Sequence, residues 1–238
     1  MSIIGRTTAR RRRPRPALLP LGAPARFLLP LTAALLASAC IVGRTDHSLY
    51  LGKDGAVTWT VVARDLRSDA GDAAERASEE ADFLAQVAAG EHPAAAALRS
   101  LGGEVGTTLV RDERPFVLVT SGRFRRIDEL AEAYFRALGI PAEARFRQRG
   151  ALRELTVEVH LAEEDEDLAD DAILALVDEP QRFRIVLEEG RFTGAVGFHL
   201  EERDAVAVPL GLDDDALAAM GQPDAATVLL ALRWRIDR

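Results

Sequence analysis

The sequence predicts an α+β fold in which repeated β-hairpin and helix units form a curved antiparallel sheet with helices packed on one face. Three observations favour this class. Short segments alternate apolar with polar residues, these segments come in pairs joined by turns such as Asp54-Gly55, and segments of helical spacing follow the pairs. Strands joined as hairpins are antiparallel, and helices gathered on one face of such a sheet define the α+β class.

The first hairpin and its helix have the clearest local signals. Asp-Gly is a strong hairpin signal, and it predicts two strands at 47–51 and 56–67. In the second of these strands the apolar residues fall on alternate positions, which gives it one apolar face. A helix is predicted over 72–89, because Asp72 is a favourable N-cap and Gly90 a favourable end.

The following units repeat this order. The second hairpin is predicted at 105–111 and 116–124, and the third at 142–148 and 151–162. A short helix is predicted to begin at His92-Pro93, and a longer one to begin with Asp128 as its N-cap and to end at Gly139. Residues 163–179 are acidic first and apolar later, which predicts a helix whose acidic start complements its dipole.

The last part of the chain is predicted to be mostly strand. A fourth hairpin turns at Glu189-Gly190, and it is followed by a short strand, a small helix and a final strand; these segments are 181–187, 192–200, 205–208, 213–220 and 227–236. No long linker or low-complexity stretch divides this region of the sequence. The sequence therefore predicts one domain over 47–238, preceded by a short tether at 40–46.

The first 39 residues have the order of a secretory signal peptide. The segment contains seven arginines and no acidic residue. An apolar run, FLLPLTAALLASAC, follows these arginines and occupies residues 27–40. A positive region, an apolar region of about 7–15 residues and small residues at the end are the features of such a signal. The run is shorter than the roughly 20 apolar residues that a membrane-spanning helix needs. We therefore expect residues 1–39 to be removed.

The end of this run, Ala37-Ser38-Ala39-Cys40, resembles a bacterial lipobox, with Ala37 where Leu is preferred. The resemblance implies that Cys40 receives a diacylglycerol, that the bond between Ala39 and Cys40 is cut, and that a further acyl chain such as palmitate joins the new amino terminus. Two or more chains anchor a protein stably, whereas one does so only marginally. The residue after the cysteine is Ile41 and not Asp, which is the residue of the inner-membrane retention rule for lipoproteins. The resemblance therefore favours the outer membrane. The alternative is that Cys40 is an ordinary thiol beside a conventional cleavage site.

Composition limits the partners of the remaining chain. The whole sequence has a net charge of −8, and without the seven arginines of residues 1–39 it has 23 basic and 38 acidic residues, a net charge of −15. This balance argues against a nucleic-acid partner, which needs a basic surface, and against lying flat on anionic lipid. Cys40 is the only cysteine, so the domain has no disulfide and no thiolate metal cluster.

The sequence predicts no catalytic, cofactor-binding or metal-binding residues. Its four histidines, His47, His92, His160 and His199, are scattered, although paired hairpins could bring the last two together. The acidic runs at 163–167, 170–171 and 213–215 lack the glycine and the spaced oxygens of a calcium loop, and they fit solvated helix starts. The strand aromatics fit core positions, the alternative being the lining of an apolar cavity; they are Trp59, Phe116, Phe183, Phe198 and Trp234.

Residues 40–62 combine a lipidated cysteine, a short strand, an Asp-Gly turn and a second strand. In this they resemble the start of LppM-type envelope lipoproteins. The resemblance implies an envelope domain with an α/β body that can enclose a lipid cavity, and it assigns no site residues. The sequence thus predicts a lipid-anchored envelope protein that is a non-catalytic binding or interaction module, either an adaptor or a carrier of an apolar ligand. The alternative from another class is an envelope hydrolase with dispersed catalytic residues.

Overall fold

A computed structural model describes residues 41–161, 183–202, 204–210, 214–222 and 226–237. The strands are β1 (Ile41–Leu51), β2 (Val57–Ser68), β3 (Glu104–Arg111), β4 (Phe116–Phe124), β5 (Ala142–Arg149), β6 (Leu152–His160), β7 (Phe183–Leu187), β8 (Arg191–Val196), β9 (Phe198–Glu201), β10 (Val206–Pro209) and β11 (Thr227–Arg235). The helices are α1 (Ala73–Ala89), α2 (Pro93–Ser100), α3 (Ile127–Ala137) and α4 (Asp214–Ala219). The predicted helix at 163–179 lies outside the described residues.

The described strands form two sheets. The larger one has the order β3-β4-β2-β1-β7-β10-β9, and the smaller one has the order β5-β6-β11-β8. All described pairings are antiparallel except that of β1 with β7. The predicted α+β class is therefore confirmed, with the strands divided between two sheets.

The main hydrophobic core lies between the two sheets. It includes Leu49 and Trp59 from the large sheet, and Leu155, Leu232 and Trp234 from the small sheet. These positions lie on alternate residues of their strands, so each strand contributes one face to this core. Of the aromatics predicted to be core residues, Trp59, Phe116 and Trp234 are buried, and Phe183 and Phe198 are partly buried against the core.

The helices pack on the same face of the large sheet as the small sheet does. Phe83 of α1 contacts a second hydrophobic cluster at one end of β2 and β4, which contains Ala63, Leu66, Phe116 and Leu118. Leu98 of α2 and Phe135 of α3 belong to the main core. Since Trp59 and Ala63 share one face of β2, the prediction of helices on one face is confirmed.

The caps of α1 agree with the prediction, and so does the end of α3 at Gly139, which has a φ of +77°, but the predicted N-cap of α3 does not. The Asp72 carboxylate accepts hydrogen bonds from the backbone N–H groups of Ala74 (2.8 Å) and Glu75 (3.0 Å), and Gly90 ends α1 in the left-handed conformation. Asp128 is not the N-cap of α3. The helix begins at Ile127, and Asp128 lies inside its first turn with its carboxylate on the Arg126 guanidinium.

The predicted tether at 40–46 is wrong from Ile41 onward. Residues 41–46 belong to β1, and the register places Ile41 opposite Ser68 and Asp46 opposite Val62. Residues 42–45 are exposed, so this half of β1 has no buried apolar alternation. Backbone pairing with the long β2 extends the strand here, and a hydrophobic pattern cannot reveal such an extension.

The predicted fourth hairpin is also wrong. β7 pairs with β1 and β10 in the large sheet, whereas β8 pairs with β11 in the small sheet. The chain changes sheets at Gly190, which has a φ of +90°, and a Cβ built there would lie 2.1 Å from the carbonyl oxygen of Arg235. A Glu-Gly pair suits a hairpin turn and a crossover equally well, so the local sequence does not distinguish them.

Candidate functional site

The predicted modification site adjoins the first strand of the large sheet. Cys40 and Ala39 lie outside the described residues, but Ile41, the residue after Cys40, already belongs to β1. Paired strands are stiff compared with an irregular linker. An acyl group on Cys40 would therefore be joined to the sheet without a spacer of several residues.

The space beneath α1 is occupied by packed side chains. Phe83 is buried, its ring centroid lies 5.7 Å from that of Phe116, and it meets the ring of His92 edge-on at 5.8 Å. Leu118 is 1% exposed in the same cluster. Close-packed aromatic and aliphatic groups of this kind form a core.

Four rings meet at one edge of the main core, and we call them the aromatic group. They are His47 of β1, Trp59 of β2, Tyr134 of α3 and Phe183 of β7, with centroid separations of 5.7 to 6.1 Å. The Trp59 indole N–H donates to Nδ1 of His47 at 3.3 Å, and His47 stacks on Phe183. His47, Tyr134 and Phe183 are only half-buried. The aromatic group is thus a partly exposed apolar surface with one polar contact.

Burial shifts the pKa values of two members of this group. The pKa of His47 is lowered because burial disfavours the charged imidazolium, and the nearby Asp46 opposes that effect without cancelling it. Burial also raises the pKa of the Tyr134 hydroxyl. Both side chains are therefore neutral at pH 7, and the group offers neither a cation nor a phenolate for chemistry.

The four histidines occupy separate places in the fold. His92 caps α2 by accepting from the N–H of Ala94 at 3.3 Å, and burial lowers its pKa. His160 and Thr227 share a hydrogen bond of 3.1 Å in the small sheet, whereas His199 lies on β9 of the large sheet. The hairpins therefore do not place His160 and His199 in one sheet.

Metal-binding clusters and membrane-spanning helices are absent from the described ranges of the chain. There, no three His, Cys, Asp or Glu side chains come together as a metal site would require. None of the helices in the same ranges is long and apolar enough to cross a membrane. Of the acidic runs, 163–167, 170–171 and Asp213 lie outside the described residues.

Comparison with known proteins gives a likeness in overall shape alone. No family model matches the sequence, and no curated protein matches it. The NMR structure of the folded domain of LppM from Mycobacterium tuberculosis is similar at 11% sequence identity, with a TM-score of 0.34. The aligned region covers 84% of this chain and 91% of that chain. Values this low assign no family and no residue roles to this chain.

Proposed function

We propose that the chain is a lipid-anchored, non-catalytic interaction module of the cell envelope, attached through Cys40 to the outer membrane and facing the periplasm. In this role it is an adaptor that presents a fixed surface to another envelope component. The proposal includes removal of residues 1–39 by cleavage between Ala39 and Cys40.

The observation that carries the proposal is the start of β1 at Ile41. A lipoprotein with a long linker can move its domain far from the membrane, whereas a domain whose first strand follows the acylated residue stays at the headgroups. β1 is also a central strand, between β2 and β7 of the large sheet. The anchor would therefore hold the body of the domain, and not a peripheral segment, close to the membrane.

Two further observations support a non-catalytic role. The described histidines lie apart, and His47 and His92 each serve a structural contact as neutral rings. The cluster beneath α1 is closely packed, which favours an adaptor over a carrier at that position. A hydrolase would need a base, a nucleophile and a stabilising donor that converge within hydrogen-bond reach.

A carrier of an apolar ligand is the second candidate, and the aromatic group favours it. His47, Tyr134 and Phe183 expose part of an aromatic surface at the edge of the core between the sheets. Ligand sites in proteins are mostly apolar and aromatic with few polar groups. The aromatic group has this chemistry, with the hydrogen bond between Trp59 and His47 as its polar element.

Mass spectrometry of the protein extracted from membranes of its own host tests the proposal. The denatured protein should have the mass of residues 40–238 plus acyl chains, and the Cys40→Ser variant should lose those chains. An uncut chain, or an unmodified Cys40, would exclude the anchor. The native spectrum then separates the two candidates, because extra lipid mass supports the carrier and extra protein mass supports the adaptor.

A further inference from the structure

The outward side of the small sheet carries a concentration of arginines, which we call the arginine face. Ala144, Phe146, Leu232 and Trp234 belong to the main core, so the residues between them point away from it. The arginines that point away are Arg145, Arg147 and Arg149 of β5, Arg191 of β8, and Arg233 and Arg235 of β11. All six are exposed.

The strand register arranges these arginines in rows across the sheet. In one row Arg149 is opposite Leu152, which is opposite Arg235, which in turn is opposite Arg191. In the next row Arg147 and Arg233 lie on either side of Glu154. Opposed residues of antiparallel strands point to the same side of a sheet, so both rows lie on one surface.

Most of this positive charge is not paired within the residues that the structure describes. Glu143 pairs with Arg145 at 3.2 Å, and Glu154 pairs with Arg233 at 2.6 Å. The side chains of the other four arginines have no hydrogen-bond or ion-pair partner among the described residues. These are Arg147, Arg149, Arg191 and Arg235. With Glu143, Glu154 and Glu158 as the acidic residues at the outward positions of the four strands, six arginines leave an excess of three positive charges.

Exposed apolar side chains are interleaved with the arginines. Leu152 is 41% exposed between Arg149 and Arg235, and Leu229 and Val196 on the same side are 40% and 37% exposed. Interfaces between proteins usually have an apolar centre surrounded by a polar rim. Binding to an anionic membrane surface instead adds electrostatic attraction of basic residues to the burial of exposed apolar groups, and this surface offers both.

We infer that the arginine face binds the surface of an anionic phospholipid bilayer. The guanidinium groups that have no partner among the described residues pair with lipid phosphates, which match the fork of their N–H groups. Leu152, Leu229 and Val196 enter the headgroup region. Strands lie about 4.8 Å apart and alternate residues about 6.7 Å apart, so the arginines cover roughly 14 Å in each direction, enough for several headgroups.

The acidic balance of the whole chain does not prevent this contact. Salt screens charges beyond about 8–10 Å at physiological ionic strength, so a bilayer at the arginine face senses chiefly the charges of that face. The net charge of the sequence argues against anionic lipid only if the charges are evenly distributed. The two described sheets distribute them unevenly, because the outward side of the small sheet is basic.

The test uses residues 40–238 with Cys40→Ser, so that no lipid anchor contributes. All the described sheet pairings and both hydrophobic clusters lie within residues 41–237, and circular dichroism checks that the chain is folded. Its binding is measured by co-sedimentation with vesicles of phosphatidylglycerol and phosphatidylcholine and with vesicles of phosphatidylcholine alone, and separately by retention on immobilised polyglutamate. A variant of the face, Arg147→Gln, Arg149→Gln and Arg235→Gln, is compared with a control of equal charge, Arg111→Gln, Arg123→Gln and Arg125→Gln, from exposed positions outside the face.

We expect binding to the anionic vesicles alone, weakening as salt rises. A basic residue at a membrane surface contributes about fivefold in affinity, so the face variant should bind on the order of a hundredfold more weakly, and the control should change by less than about fivefold.

Equal losses in both variants would show an effect of net charge and overturn the inference. Binding to polyglutamate without binding to vesicles would assign the face to an acidic protein, and absence of binding to either would also overturn the inference. None of these outcomes bears on lipidation, because Cys40 is absent.

Discussion

The carboxylate of Asp128 in α3 accepts a hydrogen bond from the backbone N–H of Phe146 in β5, at 3.3 Å. One turn further along α3, Glu132 accepts from the N–H of Ala144 at 3.1 Å. β5 is one of the two edge strands of the small sheet, and an edge strand presents unpaired N–H groups to solvent or to other chains. The two carboxylates therefore satisfy alternate donors of this edge from the side.

Asp128→Ala should destabilise the domain by about 2–3 kcal/mol, because it leaves the Phe146 N–H without its acceptor and removes the hydrogen bonds from the Arg126 guanidinium. Burial by itself raises the pKa of Asp128, but the hydrogen bonds and charge of Arg126 and the N–H of Phe146 outweigh it, so the pKa is lowered. Urea unfolding at pH 7 measures the change. Glu129→Ala is the control, since its carboxylate is exposed and lies 3.7 Å from Arg126, and it should cost less than about 0.5 kcal/mol. Equal losses would contradict a specific role for the carboxylate of Asp128.

Acidification should weaken the domain through His47. Because burial lowers the folded-state pKa of His47, the unfolded chain binds its proton more readily. The stabilisation from the neutral ring is therefore complete above about pH 6.5 and is lost as the pH falls below that value. Protonation would also place a proton on Nδ1, which accepts from the Trp59 indole. The measurement is the free energy of unfolding at pH 7.5 and pH 5.

The variant His47→Phe separates this effect from that of other groups. It should lose less stability between pH 7.5 and pH 5 than the natural chain, and the remaining dependence should include His92, whose pKa burial also lowers. An imidazole NMR titration of His47 provides a direct check. A pKa for His47 at or above the ordinary value of about 6.5 would show that the prediction is wrong.

The two tryptophans should respond differently to the same substitution. Trp59 donates to His47, whereas Trp234, which is 0% exposed, has an indole N–H without a hydrogen-bond partner among the described residues. Replacement by Phe removes a satisfied donor at one site and an unsatisfied donor at the other. Trp59→Phe should therefore cost about 2 kcal/mol more than Trp234→Phe in urea unfolding. The loss of ring volume is the same in both, so an equal or larger cost at Trp234 would contradict this prediction.

Local patterns in the sequence were sufficient for the elements whose residues alternate or cap clearly. β2, β6 and β11 have apolar residues on every second position, and α1 has both Asp72 and Gly90 at its ends. Each of these signals lies within a few residues of the element that it specifies. The prediction that the histidines are scattered also rested on nearby residues, because their contacts are mostly local or between neighbouring strands.

The features that the sequence did not reveal depend on contacts between distant segments. The first half of β1 is a strand because β2 pairs with it, and β7 and β8 separate because their partners, β1 and β11, belong to different sheets. The arginine face needs the register of β5, β8 and β11 before its rows exist. Its one local signal was the alternation of Arg145, Arg147 and Arg149 within β5. Because the whole sequence is rich in arginine, this alternation alone does not indicate a binding surface.

Gly190→Ala should destabilise the domain much more than Gly139→Ala, although both glycines have a positive φ, of +90° and +77°. A side chain in the left-handed region costs roughly 1–2 kcal/mol, and this is the whole expected effect at Gly139, where an added Cβ would meet nothing within 4 Å. At Gly190 the Cβ would also lie 2.1 Å from the backbone oxygen of Arg235, which cannot move without disturbing the end of β11. We expect Gly190→Ala to cost at least about 3 kcal/mol. Urea unfolding of both variants measures the difference, and equal costs would mean that the crossover from β7 to β8 does not pass against β11.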